Sequence, residues 1–282
     1  MKNDRRLWLK ALAALPVAAA LPARADGLAE IRQRGRLRFA VYNDFPPYAT
    51  AGGKGIDADI ARALAARLGL AADVVGYNAG EEMSDDLRNM VWKGHYLGTQ
   101  PSDVMLHVPV DEYLAKANDK VRIFAPYHRE SLAMARLPER VPKAPVGSAA
   151  VALEVFTREK IGVEGRSLAD SFLLGVMNGR LRDNVVHFKS THDAVTAMVQ
   201  GQLAAVLGPR AEVEDAVRGR PGPRVEAAAF PELKVDGWAL GMAVKAGDGE
   251  LALALDKAMS DLKRDGTIAG IFRQHGISHQ AV

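Results

Sequence analysis

The sequence predicts an α/β protein of two lobes, each a mainly parallel sheet flanked by helices, with a hinge between them. Three observations predict it. Short β-rich runs alternate with amphipathic helical runs, the pattern of parallel strands joined by right-handed crossovers. That alternation occurs twice, with a connection rich in proline, PERVPKAP, near the start of the second series. A final strand and two helices close the chain, so two connections, Ser131–Leu137 and roughly Pro231–Gly237, join the units. The expected division is residues 26–134 with 235–282 as lobe one and 135–234 as lobe two.

Each element has a local reason. RLRFAVY (Arg36–Tyr42) alternates and is rich in β-formers, so it reads as a strand. NDFPPYATAGGKG is punctuated by proline and glycine and reads as a loop. IDADIARALAARLGL reads as a helix with Ile60, Ala63, Leu64 and Leu68 on one face and Gly69 at its left-handed end. ADVVGY is a second strand, and MSDDLRNMVWKG a second helix capped by Ser84 or Asp85. SDVMLHV is a near-continuous apolar run, the mark of a strand buried on both faces.

In the second series KIGVEG, NVVHF and LAAVLG are strands. Ser167 to Asp170 and Ser190 to Asp193 have the capping-box spacing and open helices. RGRPGPR is a loop. GWALGMAVKAGDGELALALDKAMSDLKRDGTIAGIF reads as a strand, a turn at Gly247-Asp248-Gly249, a long helix and a short closing helix.

The first 25 residues have the form of a secretory signal peptide. A basic start is followed by ALAALPVAAALP, too short to span a bilayer, and by Ala23-Arg24-Ala25 at the cleavage site. DRRLWLK, with Arg5 and Arg6 paired, has the form of a twin-arginine signal; an ordinary Sec signal is the alternative. Cleavage near Ala25 places the protein in the periplasm, with no membrane anchor. Residues 1–25 hold five Lys/Arg against one Asp, so the formal charge of +3 falls to −1 on their removal. That removes the support for nucleic-acid binding. The chain has no cysteine, which excludes disulfides and thiolate metal sites. Glu81, Glu82, Asp85 and Asp86 cluster without the spacing of a calcium loop and read as a solvated helix start. No cofactor, metal or catalytic motif is expected.

LRFAVYNDFPPYATAGGKGIDADIARALAARLGL resembles the start of the family 3 periplasmic solute-binding proteins: a strand, an aromatic-Pro-Pro-aromatic loop, a Gly-x-Asp-x-Asp turn and a helix. GWALGMAVKAGDGELALALDKAMSDLKRDGTIAGIF resembles their closing elements. The resemblance implies the two-lobed type II periplasmic-binding-protein fold, closing by a hinge over a small ligand that is passed to an ABC permease. A narrower resemblance lies in LRNMVWKG, SDVMLHVP and VLGPRAE. These are similar to segments of solute-binding-like proteins associated with quinoprotein alcohol dehydrogenases, among them the J protein of methanol oxidation. That branch implies support of a dehydrogenase or its cytochrome c in place of uptake.

The resemblance also implies what an amino-acid site needs: an Arg in a Thr-x-x-Arg segment after the third strand, and an Asp after the late strand of lobe two. Here the first loop is His107-Val-Pro-Val-Asp-Glu-Tyr-Leu-Ala115, and Gly208-Pro209 stands near the second position. Losing charge partners worth roughly 1.5–3 kcal/mol per hydrogen bond speaks against an amino-acid ligand. The family positions that remain are Phe45 and Tyr48, which stack on a ligand or cap the core of lobe one. Ser167 with Arg166 forms an anion-favouring helix start or a plain cap. His107 ends its strand at the cleft, as a donor to a ligand or a member of the inter-lobe wall. Arg88 reaches the same region or pairs with Asp85 or Asp86. Tyr113 and Arg210 complete the candidates.

The leading expectation is a monomeric, non-enzymatic solute-binding protein of the quinoprotein dehydrogenase-associated type, with a small-molecule ligand that is not an amino acid. The alternatives are an accessory protein docking on a quinoprotein dehydrogenase or its cytochrome c, and a periplasmic dehydratase-like enzyme.

Overall fold

A computed structural model describes residues 27–96, 98–142 and 147–282. The signal-peptide reading of residues 1–25 and residues 143–146 of the proline-rich connection lie outside them. The strands are β1 (Arg36–Tyr42), β2 (Ala71–Tyr77), β3 (Val104–Pro109), β4 (Val121–Glu130), β5 (Leu132–Arg136), β6 (Ile161–Glu164), β7 (Val185–Phe188), β8 (Ala205–Pro209), β9 (Arg224–Ala227) and β10 (Trp238–Lys245). The helices are α1 (Gly27–Arg34), α2 (Ile56–Arg67), α3 (Met83–Leu87), α4 (Glu112–Ala117), α5 (Ala149–Ala152), α6 (Leu168–Gly175), α7 (Thr191–Val199), α8 (Arg210–Val217), α9 (Gly249–Arg264) and α10 (Thr267–Gln274).

Two five-stranded sheets form, ordered β2-β1-β3-β10-β4 and β7-β6-β8-β5-β9. Strand β1 runs parallel to β2 and β3, and β6 parallel to β7 and β8. The sheets are mixed, not mainly parallel. β10 is antiparallel to β3 and β4, and β5 is antiparallel to β8 and β9. The cause is the double crossing between lobes, which returns these strands against the direction of the βαβ units. The first crossing is at Ser131, between β4 and β5, slightly earlier than the boundary after residue 134 read from the sequence. The second runs from β9 to β10.

Both faces of each sheet are covered. Leu37, Phe39 and Val41 of β1 face a core shared with α2, α9 and α10, while Ala40 and Tyr42 face a second core with Met90 and Val91. The alternation follows the two-residue period of a strand. Burial on both sides explains why β3 is apolar almost throughout. In lobe two, Ile161, Val163 and Leu207 face one core and Val206, Val195 and Met198 the other. Leu251, Leu255, Ala258, Met259 and Leu262 form the buried stripe of α9.

The sequence and the structure differ locally. MSDDLRNMVWKG splits into α3 and a π-helical turn over Arg88–Trp92, and the residue before α3 is Glu82, with no side-chain cap. Both serine caps form: Ser167 Oγ accepts from Asp170 N at 3.1 Å and Ser190 Oγ from Asp193 N at 3.1 Å, while Asp170 accepts from Arg166 N in place of the return bond to Ser167. Gly69 takes the left-handed φ of +69° expected after α2. The loop after β3 contains α4, started by Asp111, whose carboxylate accepts from Leu114 N at 2.8 Å.

Candidate functional site

The carboxyl ends of β1, β2 and β3 converge on a cavity of about 390 Å³, with β10 as its remaining wall. Ligands favour this end of parallel strands. Tyr42, Tyr77 and His107 form its nearly buried floor, Phe45, Trp238 and Leu240 its apolar sides, and Asp44 and Asn78 its exposed mouth. No Lys or Arg is among the described residues that line it.

The floor is fixed from below. Tyr42 Oη donates to Asp86 Oδ2 at 2.7 Å, and Asp86 Oδ1 accepts from Gly80 N at 2.6 Å. Tyr77 Oη donates to the carbonyl of Gln100 at 2.7 Å. Burial and the adjacent Asp86 carboxylate hold the Tyr42 phenol far above its ordinary pKa. Burial also raises Asp86, against the opposing pull of its Tyr42 bond.

His107 stands over a fully buried acid. Its Nδ1 lies 3.3 Å from Asp57 Oδ2, without hydrogen-bond alignment. The other oxygen of Asp57 accepts from Tyr127 Oη at 2.9 Å, and that phenol oxygen accepts from His107 N at 3.1 Å. The imidazole packs edge-on between Tyr48, 4.2 Å away, and Phe45, 4.8 Å away. Among the described residues its Nε2 has no hydrogen-bond partner, and His107 is one of the residues that line the cavity. The backbone of His107 is left-handed, with φ of +62°, unusual for a residue with a Cβ.

A second polar centre lies at the first crossing. Glu130 Oε2 accepts from Tyr48 Oη at 2.7 Å, while Oε1 accepts from Ser131 N at 2.8 Å and Arg210 N at 3.1 Å. One carboxylate thus bonds the lobe-one loop and the start of α8 in lobe two. Further along α8, burial and the neighbouring Glu164 push Glu212 up to about 8. Thr191 Oγ1 lies 3.5 Å from Glu164 Oε2 and also bonds Glu212. No group of three or more His, Cys, Asp or Glu among the described residues is placed to hold a metal ion.

The candidates from the sequence divide. Phe45 and His107 meet in the cavity. Tyr48 is 1% exposed and stacks beneath Phe45 with its ring centroid 5.7 Å away, so it is a core residue. Arg88 pairs with Asp85 at 2.6 Å and bonds Asn89, which binds it to its own helix. Tyr113 is 82% exposed, because α4 carries it into solvent. Ser167 is a cap, and Asp170 Oδ2 already accepts from Arg166 N at 2.8 Å, so a carboxylate of the chain occupies that helix start. Arg166 is exposed, in a left-handed turn at φ +65°. Arg210 pairs with Glu214 at 3.2 Å and lines a different cavity, of about 400 Å³, with Phe230 and Gln280. Sequence reading missed Tyr42, Asp57, Tyr127 and Trp238. It reads Asp86 as a solvated acid, whereas Asp86 is buried and holds the Tyr42 hydroxyl. Asp57 stood in the Gly-x-Asp-x-Asp turn, which was its available signal.

Solved structures share this fold over most of their length. An ancestral cationic amino acid solute-binding protein (AncCDT-1) superposes with a TM-score of 0.67 at 20% identity, over 88% of this chain and 98% of that one. The chain has the two-lobed type II periplasmic-binding-protein fold. An amino acid ABC transporter substrate-binding protein from Streptococcus pneumoniae, bound to L-arginine, gives 0.61 at 18% identity, over 90% of this chain and 98% of that one. A further structure of AncCDT-1, described as a precursor of cyclohexadienyl dehydratase, gives 0.58 at 20% identity, over 89% and 99%. No family model matches the sequence, and no curated protein matches it. The cavity is lined from the first sheet, and Trp238 on its wall begins β10, directly after the second crossing.

Proposed function

We propose that this chain is an exported, monomeric solute-binding protein whose lobes close on a small molecule in the Phe45–His107–Trp238 cavity. The observation that carries the reading is Trp238. It is the first residue of β10 after the second crossing, it walls the cavity, and it packs against the cores of both lobes. A ligand touching Trp238 therefore contacts the segment on which hinge closure depends. Binding without chemistry is part of this reading, in line with neighbours named as solute-binding or substrate-binding proteins. Delivery to an ABC permease follows from the same likeness. The neighbours named here bind arginine or carry a cationic amino acid name, which leans against the sequence argument that an amino acid is excluded.

Small-angle scattering and Trp fluorescence with amino acids, organic acids and neutral solutes test it. A ligand should reduce the radius of gyration and shift the emission, and Trp238→Phe should abolish most of the shift. If no solute at millimolar concentration changes either signal, the reading fails.

A second reading, as a docking partner of a quinoprotein alcohol dehydrogenase or its cytochrome c, has one observation in its favour. The three segments that resemble that branch coincide with local backbone features. These are the π-helical turn at Arg88–Trp92, left-handed His107, and Gly208, where an added Cβ would lie 3.1 Å from Thr191. π-helical turns often mark functional sites. Sedimentation of the purified protein with such a dehydrogenase and cytochrome separates the readings, because a complex at micromolar concentration is required.

A further inference from the structure

We propose that the cavity selects an uncharged, mainly apolar solute bearing one hydroxyl or carbonyl oxygen, anchored by Nε2 of His107. The inference rests on the solute-binding reading and narrows its ligand.

It follows from the charges that are present. Asp57 is fully enclosed, and no Lys or Arg among the described residues pairs with it. Its Oδ2 lies 3.3 Å from Nδ1 of His107 and, among the described residues, has no hydrogen-bond partner. With Nδ1 turned to the acid at 3.3 Å, Nε2 is the ring nitrogen left to meet a ligand in the cavity that His107 lines. With a second proton on the ring, the Asp57–His107 pair is neutral overall and Nε2 donates. With one proton, Nε2 accepts. A hydroxyl answers both states, and a carbonyl answers the donating one.

Charged ligands fit less well. A carboxylate would meet Asp57 below and Asp44 at the mouth, with no Lys or Arg on the wall to offset it. An ammonium would find only exposed Asp44, where water screens the attraction. The rest of the surface, Tyr42, Phe45, Trp238 and Leu240, is suited to an apolar body. The hydroxyls of Tyr42 and Tyr77 are bonded to Asp86 and Gln100, so the floor shows the ligand fixed rings.

Calorimetry at pH 7 on the purified protein, with benzyl alcohol, toluene, benzoate, benzylamine and arginine as probes, tests the proposal. Benzyl alcohol should bind about tenfold or more tightly than each of the others. His107→Asn suits the left-handed backbone and removes Nε2. It should erase the preference for benzyl alcohol over toluene, bringing the two affinities within about threefold of each other. In the unaltered protein, the ¹⁵N resonance of Nε2 should move when benzyl alcohol is added, a readout that needs no variant. Tighter binding of arginine, benzoate or benzylamine overturns the ligand class and leaves the solute-binding reading standing. A preference that survives His107→Asn, or an unmoved Nε2 resonance, overturns the anchor. Failure of every probe, arginine included, overturns the ligand class, and absence of closure with any solute overturns the reading beneath it.

Discussion

Tyr48 and Glu130, 82 positions apart, meet through a 2.7 Å hydrogen bond from the phenol to Oε2 at the point where the chain first leaves lobe one. The same carboxylate accepts the amides of Ser131 and Arg210, so the loop beside the cavity, the crossing and the start of α8 share one acceptor. Burial raises the Glu130 carboxyl above its ordinary range, and the Tyr48 bond acts against that rise. Tyr48→Phe keeps the ring and removes the donor. The expected cost is about 2 kcal/mol, since the partner left behind is a buried acid. In urea titration the midpoint should fall with an unchanged m-value, the signature of lost stability without a changed denatured state.

Glu212 sets an alkaline limit on stability. Its carboxyl is fully buried, and burial with the Glu164 charge lifts it from 4.5 to about 8. A raised folded pKa means that the native state holds the proton more tightly. Its contribution is therefore complete below about 4.5 and is lost as pH rises through about 8. At about 1.4 kcal/mol per unit, the decline amounts to a few kcal/mol. Glu212→Gln keeps the shape and cannot ionise. Urea midpoints measured between pH 6.5 and pH 9 should fall for the parent and stay nearly level for the variant. Parallel curves would contradict the assignment.

His128 sets the acid limit. Burial, with the neighbouring His279 and His107, holds its imidazole down from 6.5 to about 3. Its ring lies 4.4 Å from that of Phe272 and accepts from Gln280 N through Nδ1 at 3.3 Å. A depressed folded pKa gives stability that is present above about 6.5 and lost as pH falls toward 3. The His128 contribution declines below about pH 6.5 while that of Glu212 still grows down to about 4.5, so the thermal midpoint should be nearly level between these values and fall on either side of them. Histidine ¹⁵N spectra at pH 5 should show the His128 ring still neutral; a charged ring there would remove the acid limb.

How far the sequence could be read depended on whether a residue's role is local. β3 and α9 were legible because burial patterns are local: VMLHV must be enclosed on both faces, and α9 carries its stripe at helical spacing. β4 was not, because VRIFAPYHRE has a proline and charges that weaken a strand reading. The structure accommodates Pro126 beside left-handed Ala125, where the β4–β10 register shifts. His107 stood out as a strand end and Phe45 through the resemblance of its aromatic-Pro-Pro-aromatic loop, and both line the cavity. Asp57 and Tyr127 were not, because their 2.9 Å bond joins positions 70 apart and neither shows it alone. Tyr113 misled for a local reason: Asp111 starts a helix there, which turns the tyrosine outward.

Gly55 is where the family-like turn is enforced by space. Its φ is +113°, and a Cβ there would lie 2.4 Å from the carbonyl oxygen of Tyr48 and 2.9 Å from Ala49 Cα. Those contacts are backbone, so no side chain can swing aside. Asp57 N also donates to that Tyr48 carbonyl at 2.9 Å, which ties the start of α2 to the loop holding Phe45 and Tyr48. Gly55→Ala must therefore strain the turn and push the loop from α2, displacing Asp57 from beneath His107. A loss of about 2–4 kcal/mol is expected, large for a single methyl and of the kind that strain at a special backbone position produces. Gly69→Ala is the control: it too replaces a left-handed glycine, but nothing lies within 4 Å of its Cβ position. It should cost about 1 kcal/mol and leave ligand binding unchanged, while Gly55→Ala should weaken both. Equal losses in the two variants would show that backbone conformation alone, and not the close approach to Tyr48, makes Gly55 necessary.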